Sequence, residues 1–158
     1  MDETAALGEA KIRELADREE IKEVRHRFAL ALDTRDWDLF GSLFADEVDA
    51  DLPALGVPRD TVPKAGLMEA FGHSFRRPAS EMGTQQLYGN FLIEVRGDEA
   101  TSSSYLVGHH HVPGLEGGED ATLRARYVDR LVRTPDGWKI AALAIQVFSV
   151  VGNPRVFA

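Results

Sequence analysis

The sequence predicts an α+β domain in which helices from the first half pack on one face of a curved antiparallel sheet from the second half, leaving room for a cone-shaped pocket. Three observations carry this. Up to residue 75, apolar residues recur at spacings of three and four. After residue 83 the chain turns to strand-like segments rich in Val, Ile, Leu, Tyr and Thr. Short turn sequences join most of those segments.

Residues 1–12 are small, polar and acidic, and are expected to form a flexible tail before a single domain over 13–158. The first helix is expected to start near Asp17-Arg-Glu-Glu20, a D-x-x-E pattern resembling a capping box, with Ile21, Val24, Phe28, Ala31 and Leu32 on its apolar side. A break at Thr34-Arg35 lets Asp36 cap a second helix whose Trp37, Phe40, Leu43 and Phe44 make one stripe. Glu47–Leu52 alternates as a half-buried strand. Residues 53–63 hold three prolines and one glycine, which predicts a loop. A third helix carries Leu67, Met68, Phe71 and Phe75 and stops before Pro78. Thr84–Val95, Ala100–Val112, Thr122–Thr134 and Trp138–Val150 follow as a meander, with turns at 96–99 and 134–137 and a longer loop at 113–120. The last strand is apolar on both faces over much of its length, which predicts burial on both sides.

Composition excludes several classes of function. With 44% apolar and 28% charged residues the chain is an ordinary globular one. Its net charge of −8 and lack of a basic cluster argue against nucleic acid or an anionic membrane as partner. The absence of cysteine removes disulfides, thiolate nucleophiles and Cys-based zinc sites, and with no signal-like or membrane-spanning run the expected compartment is the cytoplasm. Glycine-rich phosphate loops are missing too.

Two positions stand out as proton carriers. Asp33 follows Phe28-Ala-Leu-Ala-Leu32, so its carboxylate lies beside an apolar interior; it is either a base made effective by partial burial or a turn-forming helix-end residue. His109-His-His111 lies on a strand, where neighbours alternate between faces. Either His110 points inward alone, or His109 and His111 do so together and offer two nitrogens to a metal. Gln86, Tyr88 and Asn90 share a strand face, and Tyr127 and Asp129 share another. The first three can orient a carbonyl or a water. Charges such as Arg126 and Arg130 are expected in cross-strand surface pairs.

The chain resembles the SnoaL-like branch of the nuclear transport factor 2-like superfamily. The resemblance rests on Leu15-Ala-Asp-Arg-Glu-Glu-Ile21, Leu32-Asp-Thr-Arg-Asp-Trp-Asp38, Thr84-Gln-Gln-Leu-Tyr-Gly-Asn90, the Gly97-Asp-Glu turn, the Tyr105 to His110 strand and Tyr127-Val-Asp-Arg-Leu-Val-Arg-Thr-Pro-Asp-Gly-Trp138. It implies a cystatin-like α+β barrel, a cone-shaped antiparallel sheet enclosed with three N-terminal helices. Dehydratases of that branch use a helix-end Asp, matched here by Asp33, and a later-strand His, matched by His110. Tyr127 takes the place of a substrate-contacting Asn of scytalone dehydratase. Gln86 stands where many relatives have His, Leu32 and Leu52 where scytalone dehydratase has two tyrosines, and Phe28 where many relatives have Tyr.

The resulting expectation is an acid/base enzyme, a dehydratase or cyclase needing no cofactor and no metal, acting on a hydrophobic cyclic or aromatic ketone. Asp33 and His110 are its catalytic candidates, and Gln86, Tyr127, Phe28, Leu52 and Tyr88 line the substrate. The alternative is a small-molecule-binding or assembly protein without catalysis. A homodimer or homotrimer is expected from the resemblance.

Overall fold

A helix of 32 residues, α1 (Glu3–Thr34), opens the computed structural model, which describes residues 3–158 and their side chains from residue 6. It starts well before Asp17 and runs through the part of the expected tail that is described; residues 1–2 lie outside it. Ala, Glu, Lys and Arg dominate residues 3–16 with no proline, and such residues favour helix even when little packs on them. Asp17 is therefore interior to the helix and does not cap it. Its buried carboxylate accepts two hydrogen bonds from Arg133 (2.6 and 2.9 Å) and one from the Trp138 indole (3.3 Å), fastening α1 to the sheet.

The helix ends where expected. Arg35 adopts a left-handed conformation (φ 61°), and the Asp36 N–H returns to the Ala31 carbonyl at 2.9 Å. Asp36 then caps α2 (Trp37–Ser42), its side chain accepting from the Leu39 N–H at 2.9 Å.

The strands are β1 (Phe44–Leu52), β2 (Val57–Pro63), β3 (Gly83–Arg96), β4 (Glu99–His111), β5 (Asp120–Thr134) and β6 (Gly137–Gly152), with α3 (Lys64–Ser74) between β2 and β3. One sheet holds them in the order β2-β1-β6-β5-β4-β3. The α+β class and the β3–β6 meander match expectation. Two details differ. Residues 57–63 form a strand and not a loop, because proline is tolerated in an edge strand, where one row of N–H groups has no ladder partner to bond. β1 pairs with β6 in parallel, Asp49 opposite Ala142 and Ala50 opposite Leu143, so the sheet is not wholly antiparallel; side-chain alternation reports a strand's faces and carries no signal of pairing direction.

Phe28, Phe40, Phe44 and Phe71, from α1, α2, β1 and α3, form the centre of the core. The rings of Phe40 lie 5.0, 5.0 and 4.9 Å from those of Phe28, Phe44 and Phe71. Complete burial of each such ring contributes about 2–3 kcal/mol. On the outer face of the sheet Leu87, Tyr105, Val107, Val128 and Phe148 remain exposed, with Tyr105 against Phe148. No described helix is long and apolar enough to cross a membrane.

Candidate active site

The last turn of α1 lies along β3, an edge strand. Asp33 takes up one backbone N–H and one side-chain hydroxyl there: its Oδ2 accepts from the Gln86 N–H (3.1 Å) and its Oδ1 from the Thr84 hydroxyl (2.9 Å). Burial pushes the Asp33 carboxyl above its ordinary value, although the Gln86 and Thr84 hydrogen bonds and the nearby Arg35 charge pull the other way. Partial burial is what favours a base here, and the two hydrogen bonds oppose it.

Gln86 carries the site inward. Its buried side chain lies over Gly108 on β4, where an added Cβ would stand 2.9 Å from the amide oxygen, so the glycine makes room for the amide. The amide nitrogen reaches His110 Nε2 at 3.4 Å. Of the three histidines, His110 alone points inward. His109 and His111 face outward and share Asp120 Oδ1, at 3.1 and 2.8 Å, so the arrangement with two inward nitrogens is not adopted.

His110 is buried between Phe75 and Phe157, ring centroids 5.6 and 4.8 Å away. Burial, then the Arg35 charge, then His109 lower its pKa from 6.5 to about 4, so at neutral pH the ring is uncharged. Its Nδ1 has no partner among the described residues. With the Gln86 NH₂ turned to the ring, Nε2 accepts and the imidazole proton sits on Nδ1; a rotated amide reverses both.

His110, Gln86 and Tyr127 open on one cavity of about 280 Å³, at the lower end of the range for ligand pockets. Apart from Ser74 its remaining walls are apolar, from Leu32, Leu55, Phe71, Phe75, Ile145 and Phe157 among others. Burial pushes the Tyr127 phenol up to about 12, which keeps its proton in place as a donor.

The other expected contacts lie elsewhere. Asp33 is not part of the cavity wall; it sits behind Gln86. Phe28 and Leu52 are core residues without exposure, and Tyr88 packs on Phe28 and Tyr127, so none of the three lines the cavity. Asn90 leaves the face of Gln86 and Tyr88, because a bulge between Gly89 and Leu92, with Asn90 at φ 54°, turns it to solvent.

A buried ion pair at the inner end of this face escaped the sequence reading. Arg25 Nη2 donates to Asp129 Oδ2, and the guanidinium lies 4.4, 5.0 and 4.5 Å from the ring centroids of Phe28, Tyr88 and Tyr127. Burial pushes the Asp129 carboxyl up against the pull of Arg25. Burial is also the largest single effect on Arg25 and opposes its charge, but Asp129 together with Tyr88 and Tyr127 outweighs it and keeps the guanidinium protonated. The signal was present: Ile21, Arg25, Phe28 and Leu32 share one helical stripe, which places a charge inside the apolar face.

Known proteins repeat this architecture. Rv2910c, an uncharacterised protein of Mycobacterium tuberculosis, is 28% identical over 137 residues, covering 82% of this chain and 84% of its own. A putative scytalone dehydratase from Novosphingobium aromaticivorans superposes with a TM-score of 0.72 at 17% identity, covering 89% of each chain. A type 2 hexachlorocyclohexane dehydrochlorinase (LinA) does so with a TM-score of 0.68 at 18% identity, covering 90% of this chain and 93% of that one. Residues 13–144 match the family described as the SnoaL-like domain; with a helix-covered curved sheet around a lined cavity, the chain belongs to the SnoaL-like domain family.

Proposed function

We propose that the protein is a cofactor-independent acid/base enzyme of the dehydratase or cyclase type, acting on a hydrophobic cyclic or aromatic ketone in secondary or degradative metabolism. The observation that carries this reading is His110, a buried and uncharged imidazole facing an apolar cavity, with the Gln86 amide as its polar neighbour. With the Gln86 amide rotated so that its oxygen accepts from Nε2–H, the unpartnered Nδ1 of the neutral imidazole holds the lone pair that removes a proton α to a carbonyl, and the electron pair of the broken C–H bond passes to an enolate. Gln86 and Tyr127 are the donors for the enolate oxygen. As the enolate collapses, a β-hydroxyl departs with the proton returned by the imidazolium, and water is lost overall. The names of two structural relatives fit this step, since dehydration and dehydrochlorination are both eliminations across a C–C bond. Asp33 is the second proton carrier in this reading if a substrate reaches past Gln86 to it; from its place behind the cavity wall it also holds the Gln86 backbone N–H.

A binding protein without catalysis is the second reading. It is favoured by Gln86, which cannot move a proton where many relatives carry His, and by Phe28 and Leu52 in place of phenols. Mass spectrometry of ligand extracted from purified protein, before and after incubation with candidate ketones, separates the two. A converted product supports the enzyme; a ligand recovered only unchanged sinks it. The same reading includes a homodimer or homotrimer closing over Tyr105, Val128 and Phe148 on the outer face, and sedimentation showing a monomer at micromolar concentration would remove that part.

A further inference from the structure

Arg35 is the least explained charged residue near the cavity. Its guanidinium is spent on uncharged acceptors: Nε donates to the Arg77 carbonyl (3.1 Å), Nη2 to the Met82 carbonyl (3.1 Å), and Nη1 to the Leu32 carbonyl, the Thr84 hydroxyl (3.2 Å) and, at 3.5 Å, the Asp33 carbonyl. One side chain thus joins the end of α1, the connection from α3 to β3, and β3 itself. Its backbone sits at φ 61°, where glycine is the usual residue and any other side chain is strained.

We propose that Arg35 is a positioning residue, which aims the Thr84 hydroxyl at Asp33 and fixes Phe75 against His110 without touching ligand. This rests on the reading that Asp33 and His110 carry protons. Thr84 has one hydroxyl hydrogen. Because Arg35 Nη1 donates to its oxygen, that hydrogen is left for Asp33 Oδ1, 2.9 Å away. On the other side the guanidinium lies 5.1 Å from the Phe75 ring, which itself lies 5.6 Å from His110. A planar fork with five donors suits this task, and an ammonium on a flexible stem does not.

Charge points the same way. The groups packed on His110 are Gln86 from β3, Phe75 after α3, Phe157 from the turn Pro154–Phe157, and its neighbour His109, none of them an acid. Arg35 is the nearby cation that disfavours a proton on the ring, and it opposes the effect of burial on Asp33.

Two variants test this, Arg35→Gly and Arg35→Lys. Arg35→Gly relieves the backbone and removes the fork; Arg35→Lys keeps the charge without the geometry. NMR titration of the His110 ring and the pH profile of product formation are read on both. In Arg35→Gly the His110 midpoint is expected to rise above about 4, and turnover to fall about 10- to 100-fold. Arg35→Lys is expected to keep the low midpoint while turnover stays depressed. If neither variant moves the midpoint, the profile or turnover, Arg35 is not a positioning residue. If Arg35→Gly does not fold, turnover in Arg35→Lys decides: wild-type turnover there overturns the proposal. If the wild type forms no product from any ketone, the enzymatic reading fails and takes the positioning role with it, and a midpoint shift in Arg35→Gly then reports only the Arg35 charge; product from the wild type with unchanged turnover in both variants overturns the positioning role alone.

Discussion

Asp129→Ala is expected to destabilise the protein by about 3–5 kcal/mol, because it leaves the Arg25 guanidinium charged and without its carboxylate inside an aromatic shell. Replacing both partners should do the opposite. Arg25 Nη1 and Asp129 Oδ1 are buried without a hydrogen-bond partner, so the pair is only half satisfied while bearing the desolvation of two full charges. Methionine at 25 can lie along the same three rings, and leucine at 129 approximates the lost volume, so Arg25→Met with Asp129→Leu is expected to unfold within about 1 kcal/mol of the wild type, or later. Denaturant midpoints of the two single variants and the double give the coupling directly. A double variant as unstable as Asp129→Ala would mean that the charges themselves, and not their separation, hold this end of the cone.

The parts of this molecule legible in its sequence are those governed by local rules. The break at Thr34-Arg35, the Asp36 cap and the turns between β3 and β6 each depend on a few adjacent residues, and each is found where it was expected. So does the inward turn of His110, since alternation within a triplet leaves only two choices. Depth is a different matter. Phe28, Leu52 and Tyr88 do point inward, but the face of a strand or helix does not say whether a side chain ends at the cavity or beneath it, and all three lie in the packed layer. Long-range partners are equally silent. Nothing near Asp17 announces Arg133, and nothing near Asp33 announces that the free edge of β3 will be its partner. Arg25 was visible as a charge within an apolar stripe, but only the fold identifies Asp129 as its mate.

His110→Ala is expected to lower turnover by about 10²- to 10⁴-fold, the range that one positioned base supplies. Asp33→Asn separates the two roles left open for that residue. An amide oxygen can still accept from the Gln86 N–H or the Thr84 hydroxyl, so a loss as large as in His110→Ala means that Asp33 moves a proton, and retention of most activity means that it holds Gln86. Stability supplies a reading independent of substrate. The folded ring titrates near 4 and the unfolded ring near 6.5, so below 6.5 the unfolded chain binds a proton that the native one refuses. Native stability must then be fully present above 6.5 and decline as pH falls towards 4, by about 3 kcal/mol in total from this group. In His110→Gln that decline should be reduced by the same amount. If the acid slope is identical in the two proteins, His110 is hydrated and free to take up protons, and a buried neutral base cannot be the source of the activity.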